Sequence, residues 1–170
     1  MKNTKCSETM DSNSRSEIVA KIFEGFLLIL LIVAWDQGYA HKGAMGVVKE
    51  RMDMMDEIGD NMKDIKAMIQ RKQPFDAAKM ARHAESIRTA SMHIKQVFPE
   101  GSLNHPSEAL PSIWKDWDQF SSLADQLIVE AEKLREVTES EDQQVIMKQF
   151  ARVGKTCRSC HTDFRKKKDP

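Results

Sequence analysis

The chain has 170 residues, enough for a single domain with a substantial core. Lys and Arg together number 26, as do Asp and Glu, so the formal net charge is zero. No overall charge therefore favours nucleic acid or an anionic membrane surface as a partner. Any binding function has to be read from local motifs.

An apolar run near the N-terminus indicates export. Residues 26–34 are wholly apolar, follow a polar segment that contains four cations, and precede Gly38 and Ala40. The run is short for a membrane span, and small residues at these two positions suit a signal peptidase. We therefore expect residues 1–40 to be a signal peptide that is cleaved before His41.

Two alternatives for this segment stay open. Translation could begin at Met10, or residues 18–35 could remain as an N-terminal membrane anchor. In either case residues 41–170 form the expected folded domain. Cys6 lies in the discarded or cytoplasmic part, so we expect no disulfide from it.

Two segments after residue 40 carry apolar residues at steps of three and four, the pattern of helices with one buried face. The first helix is expected over residues 43–70. Pro74 is expected in the first turn of the second helix, which extends to Phe98. The apolar positions of the first are Val48, Met52, Met55, Ile58, Met62, Ile65 and Ile69. The second carries Ala77, Met80, Ala84, Ile87, Ser91, Ile94 and Phe98 on the face that is expected to be buried.

Two more helices follow a turn-rich connection over residues 99–106. The third begins near Pro111. Ser140, followed three residues later by Gln143, predicts a capping box that opens the fourth, which is expected to continue to Lys167. The third carries Trp114 at its entrance and then Trp117, Phe120, Ala124, Leu127, Ala131 and Leu134. The fourth carries Ile146, Phe150, Val153, Cys157, Cys160 and Phe164.

The fold class follows from these patterns. No segment alternates with period two for long enough to form a strand, and no internal repeat is evident. Four helices with mostly short connections predict an all-α, antiparallel, up-down-up-down four-helix bundle. Bundles of this kind place cofactors between facing helices.

The fourth helix contains the pattern C-x-x-C-H at Cys157, Cys160 and His161. Side chains three and four residues apart share one helix face, so two thiols and an imidazole project together. This is the pattern by which haem is attached covalently, with thioether bonds to both cysteines and the imidazole as an iron ligand. We therefore expect one haem c, with the motif on the buried face of the helix.

Two other uses of this pattern fit the chain less well. Structural zinc needs four ligands, and no second Cys/His pair with ligand spacing exists. A thioredoxin-like redox pair is expected where a strand opens into a helix, and no strand is predicted near this motif.

The region over residues 48–168 resembles cytochrome c′ and its low-spin relatives. The resemblance depends above all on Cys157-x-x-Cys160-His161-x-x-Phe164-Arg165 close to the C-terminus, where most other cytochromes c have the motif near the N-terminus. It implies the same antiparallel bundle. The other matching segments are Val48-Lys49-Glu50-Arg51, Gln73-Pro74-Phe75-Asp76-Ala77-Ala78, Pro111-Ser112-Ile113-Trp114 and Phe120.

The resemblance also implies roles for individual residues. In that family an Arg of the first helix lies near the haem propionates, and the residue four positions later faces the distal side of the haem; here these are Arg51 and Met55. An apolar residue at the second position leaves the iron five-coordinate, whereas the low-spin relatives have a Met that binds it. Arg165 matches a basic residue beside the proximal His161. From the residues alone, Arg51 could be a solvated surface residue, and the run 165–168 would suit the negative end of the last helix.

The residues themselves support Met55 independently. It lies on the apolar stripe, whereas Met54 is rotated by about 100°. A thioether is a suitable ligand for haem iron. Methionine also fills gaps in apolar cores, so Met52 as the ligand, or no distal protein ligand, stays open. His83 and His93 lie off their helix's stripe and are expected at the surface.

Three functions are consistent with these features. With Met55 bound, the protein would be a periplasmic carrier of single electrons between periplasmic or membrane redox proteins. With an open distal site it would bind or scavenge nitric oxide or carbon monoxide. A haem-bearing sensor or assembly subunit held at the membrane is the third. Enzymatic catalysis is not expected, because no nucleophile–base pair, paired carboxylates or phosphate-binding loop is evident. A homodimer through the first two helices is common in the family.

Overall fold

The computed structural model describes residues 43–167, and within them five α-helices and two short 3-10 turns. The predicted export segment and Cys6 lie outside the described residues. None of the described helices has an apolar stretch long enough to cross a membrane. The helices are α1 (Gly46–Ile69), α2 (Ala77–Ser91), α3 (Ser112–Lys115), α4 (Trp117–Val137) and α5 (Gln143–Phe164), and the 3-10 turns are Ile94–Val97 and Thr138–Ser140.

The four long helices α1, α2, α4 and α5 form the predicted antiparallel four-helix bundle. They pack in a defined order, with α1 against α2, α2 against α4 and α4 against α5. In the described part of the chain, α1 and α5 make no comparable contact. Side chains from all four helices are completely buried in the core, among them Ile65, Met80, Ile87, Leu134, Ile146 and Val153.

The buried face of α1 is rotated from the predicted stripe. Three predicted positions are buried: Val48, Ile58 and Ile65. Four others are only half-buried: Met52, Met55, Met62 and Ile69. Arg51, Met54 and Met68 are buried instead, so the expectation that Met54 lies away from the core is wrong. An Arg at position 51 suggested that this side of α1 faces solvent. Its guanidinium instead forms hydrogen bonds within the protein, so this side of the helix is buried.

The second helix is shorter than predicted at both ends. Pro74 precedes it rather than lying in its first turn, because Asp76 is the N-cap and its carboxylate accepts from the Lys79 backbone N–H at 2.8 Å. The helix ends at Ser91, and the rest of the predicted segment forms the 3-10 turn. Of the positions expected on its buried face, Met80, Ala84, Ile87, Ser91, Ile94 and Phe98 are buried and Ala77 is half-buried.

The third predicted helix is divided at Asp116, whose φ of −120° and ψ of 46° interrupt the helical path. Trp117 therefore begins a new helix and is 37% exposed, so its predicted core position is wrong. Its ring still contacts Phe120, with 5.4 Å between the ring centroids. Trp114 is half-buried and donates from Nε1 to the Phe98 carbonyl at 3.0 Å.

The predicted capping box of Ser140 and Gln143 is wrong. Ser140 ends a 3-10 turn, and the chain has to leave that turn before α5 can begin. The N-cap is Asp142, whose carboxylate accepts from the backbone N–H groups of Gln144 at 2.8 Å and Val145 at 3.3 Å. A carboxylate here also lies at the positive end of the helix dipole.

We expect Asp142→Ala to lower the free energy of unfolding by about 1 kcal/mol, because it removes the cap of α5. Asp142→Asn is the matched control and should retain most of the stability, since Asn also accepts from the first-turn N–H groups. Urea unfolding of the three proteins measures the effect. Equal stability of the Ala and Asn variants would show that the cap contributes nothing.

The last helix ends at Phe164, three residues before the predicted end at Lys167. The Phe164 carbonyl accepts from the Leu110 N–H at 3.0 Å, and the Lys166 N–H donates to the Glu108 carbonyl at 2.8 Å. These two bonds replace the helical ones and tie the end of α5 to the connection before α3.

Candidate haem-binding site

The C-x-x-C-H motif occupies the last two turns of α5. Cys157 and Cys160 are half-buried free thiols that pack against the hydrophobic core. Val153 and Phe164, on the same side of the helix, are buried. His161 is exposed. The motif thus lies at the boundary between the buried face of α5 and the surface. The two cysteines are partly buried as predicted, whereas His161 is not.

Burial raises the pKa of both thiols. For Cys157 burial is the main cause, and a backbone hydrogen bond opposes it. For Cys160 burial, followed by the charges of Cys157 and Asp163, raises the pKa to about 11. Both groups are therefore protonated thiols at neutral pH, unlike the reactive thiolates of redox-active cysteine pairs.

The imidazole of His161 has two charged neighbours. Although His161 is exposed by surface area, the protein groups around its ring displace part of its solvation, and this effect and then the positive charge of Arg165 lower its pKa, while Glu108 acts in the opposite direction. These influences favour the neutral imidazole, which is the form that binds a metal ion.

Arg165 follows the helix in an extended conformation, with φ −121° and ψ 140°. Its Nε donates to Glu108 Oε2 at 2.7 Å, and a second guanidinium N–H donates to the same oxygen. The expectation that the helix continues through Arg165 is therefore wrong, and Arg165 is its C-cap. Its side chain instead holds the connection before α3 beside His161.

Arg51 is buried, with only 5% of the residue exposed, and burial lowers its pKa. The predicted alternative of a solvated Arg is wrong. Nε and Nη2 donate to the Val97 carbonyl at 3.0 and 2.9 Å, and Nη1 donates to the Ser102 carbonyl at 3.1 Å. Nη1 also donates to Ser107 Oγ at 2.8 Å, and Nη2 to Ser102 Oγ at 2.6 Å. All five N–H groups of the guanidinium thus have acceptors within the protein.

Aromatic rings connect Arg51 to the end of α5. The guanidinium carbon lies 4.0 Å from the centroid of the Phe98 ring, a cation–π contact. The Phe98 and Phe120 centroids are 4.9 Å apart, and Phe120 and Phe164 are 5.5 Å apart with perpendicular rings. Arg51 and the motif-bearing helix therefore belong to one continuous packed cluster.

The two candidate methionines of α1 differ in burial. Met54 is 9% exposed and belongs to the core, whereas Met55 is half-buried and packs against its edge. Met52 is also half-buried. A half-buried thioether at the edge of the core can contact a neighbouring group without leaving its place in the packing, whereas Met54 is enclosed by its neighbours.

Two histidines outside the motif were expected at the surface. His93 is exposed, as predicted, with Nδ1 at 3.1 Å from Gln96 Oε1. His83 is more buried than predicted, because its ring lies between α1 and α2. Its Nδ1 is 2.8 Å from Asn61 Oδ1, and its Nε2 is 3.7 Å from Asp64 Oδ2.

The residues present suit a haem better than a bare metal ion. Among residues 43–167, no three His, Cys, Asp or Glu side chains converge as a metal cage requires. Two thiols and an imidazole on one helix face suit a haem, because the thiols can bond to the edge of the porphyrin and the imidazole can bind the iron at its centre. The helices that carry His161 and Met55, α5 and α1, are not among the closely packed helix pairs of the described chain.

The cytochrome c′ family model matches residues 46–165. The chain belongs to the cytochrome c′ family. Cytochromes of this family carry one covalently bound haem c, and Cys157 and Cys160 lie in the C-terminal region where the family's haem motif is expected. The family is periplasmic, and its members are electron carriers or gas-binding proteins rather than typical enzymes.

Individual cytochromes are similar over the same region. Cytochrome c-556 of Agrobacterium tumefaciens is 32% identical over 123 residues, which cover 72% of this chain and 99% of that protein. Cytochrome c′ of Pararhodospirillum photometricum is 30% identical, covering 69% of this chain and 94% of that one. The structure of cytochrome c prime from Shewanella frigidimarina is 32% identical, with a TM-score of 0.68 over 71% of this chain and 94% of that chain.

Several residues around the cytochrome c′ motif were not predicted from the sequence. Ser102 and Ser107 accept hydrogen bonds from Arg51, Phe98 stacks on it, and Glu108 pairs with Arg165. All lie in or beside the connection between α2 and α3, which the sequence marked only as rich in turn formers. The length and the polar residues of this connection were the only features of the sequence that could have indicated a structural role. Its hydrogen-bonding partners could not be identified, because they are 46 to 57 residues away in the chain.

Proposed function

We propose that this cytochrome c′-family protein is a periplasmic one-electron carrier. Cys157 and Cys160 hold the haem covalently, His161 is the proximal ligand and Met55 is the distal ligand. The observation that carries the proposal is the half-buried thioether of Met55 at the edge of the core, four residues after the buried Arg51. The 32% identical relatives named cytochrome c-556 support it.

The protein's own residues give this carrier its properties. When bound, haem c supplies a reversible Fe(III)/Fe(II) couple. Val153 and Phe164 exclude water from the inner side of the cysteines. His161 and Met55 lie on helices of one packed bundle, so their positions change little when charge is gained or lost. A thioether ligand also favours a higher potential than a second nitrogen ligand would.

Arg51 and Arg165 place two positive charges at the end of the bundle that contains the motif. We propose that both interact with the carboxylates of the haem, as charge-assisted bonds of this kind are strong. The five N–H groups of Arg51 already have acceptors within the protein, so a carboxylate would have to share them or displace one. Arg165 would keep Glu108 as its partner.

A second candidate function is the binding of small gases by a five-coordinate cytochrome c′. Variants of cytochrome c prime from Alcaligenes xylosoxidans, 25% identical to this chain, have been solved with nitric oxide and with carbon monoxide bound. The residue at position 55 decides between the two functions. A Met that does not bind would leave an apolar pocket for such ligands.

Export and assembly complete the proposal. Residues 1–40 direct the chain to the periplasm as a signal peptide or remain as an anchor in the inner membrane. Periplasmic or membrane redox proteins are the partners, and nucleic acid is not one. A homodimer would form through α1 and α2.

The first experiment compares Met55→Leu with Met54→Leu in the haem-loaded protein. Both changes conserve side-chain volume, so each should cost less than about 1.5 kcal/mol of stability. We expect Met55→Leu to convert a low-spin ferric spectrum to a high-spin one and to confer rapid carbon monoxide binding, while Met54→Leu retains the spectrum of the unaltered protein. A spectrum that Met55→Leu leaves unchanged would overturn the assignment, and a high-spin unaltered protein that binds carbon monoxide would favour gas binding.

A further inference from the structure

We propose that the solvent-facing side of α5 is a docking surface for an acidic redox protein. This inference follows from the proposed electron-transfer function and names the kind of partner. The surface, here called the basic face, consists of Lys148, Arg152, Lys155 and Arg158.

The charge of α5 is strongly unbalanced although the whole chain is neutral. The helix carries these four cations and a single acidic residue, Asp163. By contrast, α1 carries six acidic residues, and α4 carries five. The basic face is therefore a local feature and not a consequence of composition.

The four cations share one side of the helix. They are separated by four, three and three residues, which keeps them within roughly a third of the helix circumference over a length of about 15 Å. All four are exposed, while Ile146, Val153 and Phe164 on the opposite side are buried. The face is continuous and accessible.

Most of these cations lack the acidic partners that several other cations in the described chain have. Lys49, Lys63, Arg88 and Lys95 each form an ion pair at 3.1 Å or less. Among residues 43–167, Lys148, Lys155 and Arg158 have no acidic oxygen within 4.0 Å, and Arg152 acts on Glu130 only at longer range. Unneutralised charges of one sign steer an oppositely charged protein towards the surface.

The basic face also lies in the right place for electron transfer. Arg158 is between Cys157 and Cys160 in the chain, so a partner on this face would be separated from the proposed attachment positions by about one helix diameter, roughly 10 Å. An anionic bilayer also attracts a row of four cations, so vesicle binding is one of the outcomes of the test below.

The test compares two triple variants of the haem-loaded protein. The first variant reverses three charges of the basic face, with the substitutions Lys148→Glu, Lys155→Glu and Arg158→Glu. Arg152 is left unchanged because it interacts with Glu130. Arg71→Glu, Lys72→Glu and Lys115→Glu are the matched control, since these residues are also exposed, lie outside α1, α2 and α5, and give the same change of charge. Optical spectra verify the haem content of each protein.

Stopped-flow reduction by a reduced flavodoxin, a small acidic electron-transfer protein, is the readout. At low salt we expect the second-order rate constant to fall at least about 10-fold for the basic-face variant and less than about 3-fold for the control. The difference should vanish at 1 M salt, where the screening length is about 3 Å. Reduction by a neutral hydroquinone should be the same for all three proteins.

The other outcomes are distinguishable. Equal losses in the two variants would overturn the docking surface while leaving one-electron transfer intact. An unaltered protein that neither reagent reduces would overturn the proposed function itself, and the docking surface with it. A membrane would be the occupant instead if two results were obtained together. The unaltered protein, but not the basic-face variant, would sediment with phosphatidylglycerol vesicles, and the rates of reduction by flavodoxin would be the same for both.

Discussion

Replacing Cys157 and Cys160 together with Ala is expected to abolish covalent haem attachment. The two thiols are the cysteines of the C-x-x-C-H motif, and both are free and half-buried on one helix face. Without them no thioether bond can form, although His161 could still bind iron reversibly. Haem staining of the denatured protein on a gel should fall to background, and acidified acetone should extract whatever haem remains.

The third cysteine of the chain provides the control. Cys6 lies in the predicted export segment, so Cys6→Ser should leave haem staining unchanged. Each single Ala variant should retain one thioether bond and stain. Covalent haem in the double variant, or its loss in the Cys6 variant, would contradict the assignment of Cys157 and Cys160.

Arg51→Ala should destabilise the protein by on the order of 3 kcal/mol. The substitution removes five hydrogen bonds and leaves buried acceptors of Val97, Ser102 and Ser107 without their donor. It also removes the guanidinium that packs on Phe98. Urea unfolding of the haem-loaded protein measures the loss.

Two further variants make the Arg51 experiment specific. Arg82 is exposed, so Arg82→Ala should change the free energy of unfolding by less than about 0.5 kcal/mol. Arg51→Lys keeps the charge but has three N–H donors in place of five, so its stability should fall between the two Ala variants. If Arg51→Ala were as stable as Arg82→Ala, the connection between α2 and α3 would be held by other contacts.

The helical pattern was predictable because burial repeats with the period of the helix. Met80, Ala84 and Ile87 in α2 and Phe120, Ala124 and Leu127 in α4 are buried where the sequence placed them. The errors lie at helix ends, on the buried face of α1 with Arg51 and Met54, and at His83. The helix α5 begins after Asp142 and ends at Phe164 because hydrogen bonds to the Asp142 side chain and to the connection before α3 replace the helical ones there. Hydrophobic periodicity does not predict such hydrogen bonds.

The bundle, the cytochrome c′ resemblance and the position of Cys157, Cys160 and His161 were predictable, because each depends on periodicity within the individual helices or on short motifs along the chain. The burial of Arg51, the closer enclosure of Met54 than of Met55, and the pairing of Glu108 with Arg165 are evident only from the packed fold. Each of these depends on groups distant in the chain. Arg51 turns inward because Val97, Ser102 and Ser107 together satisfy a guanidinium that would otherwise have to remain in water.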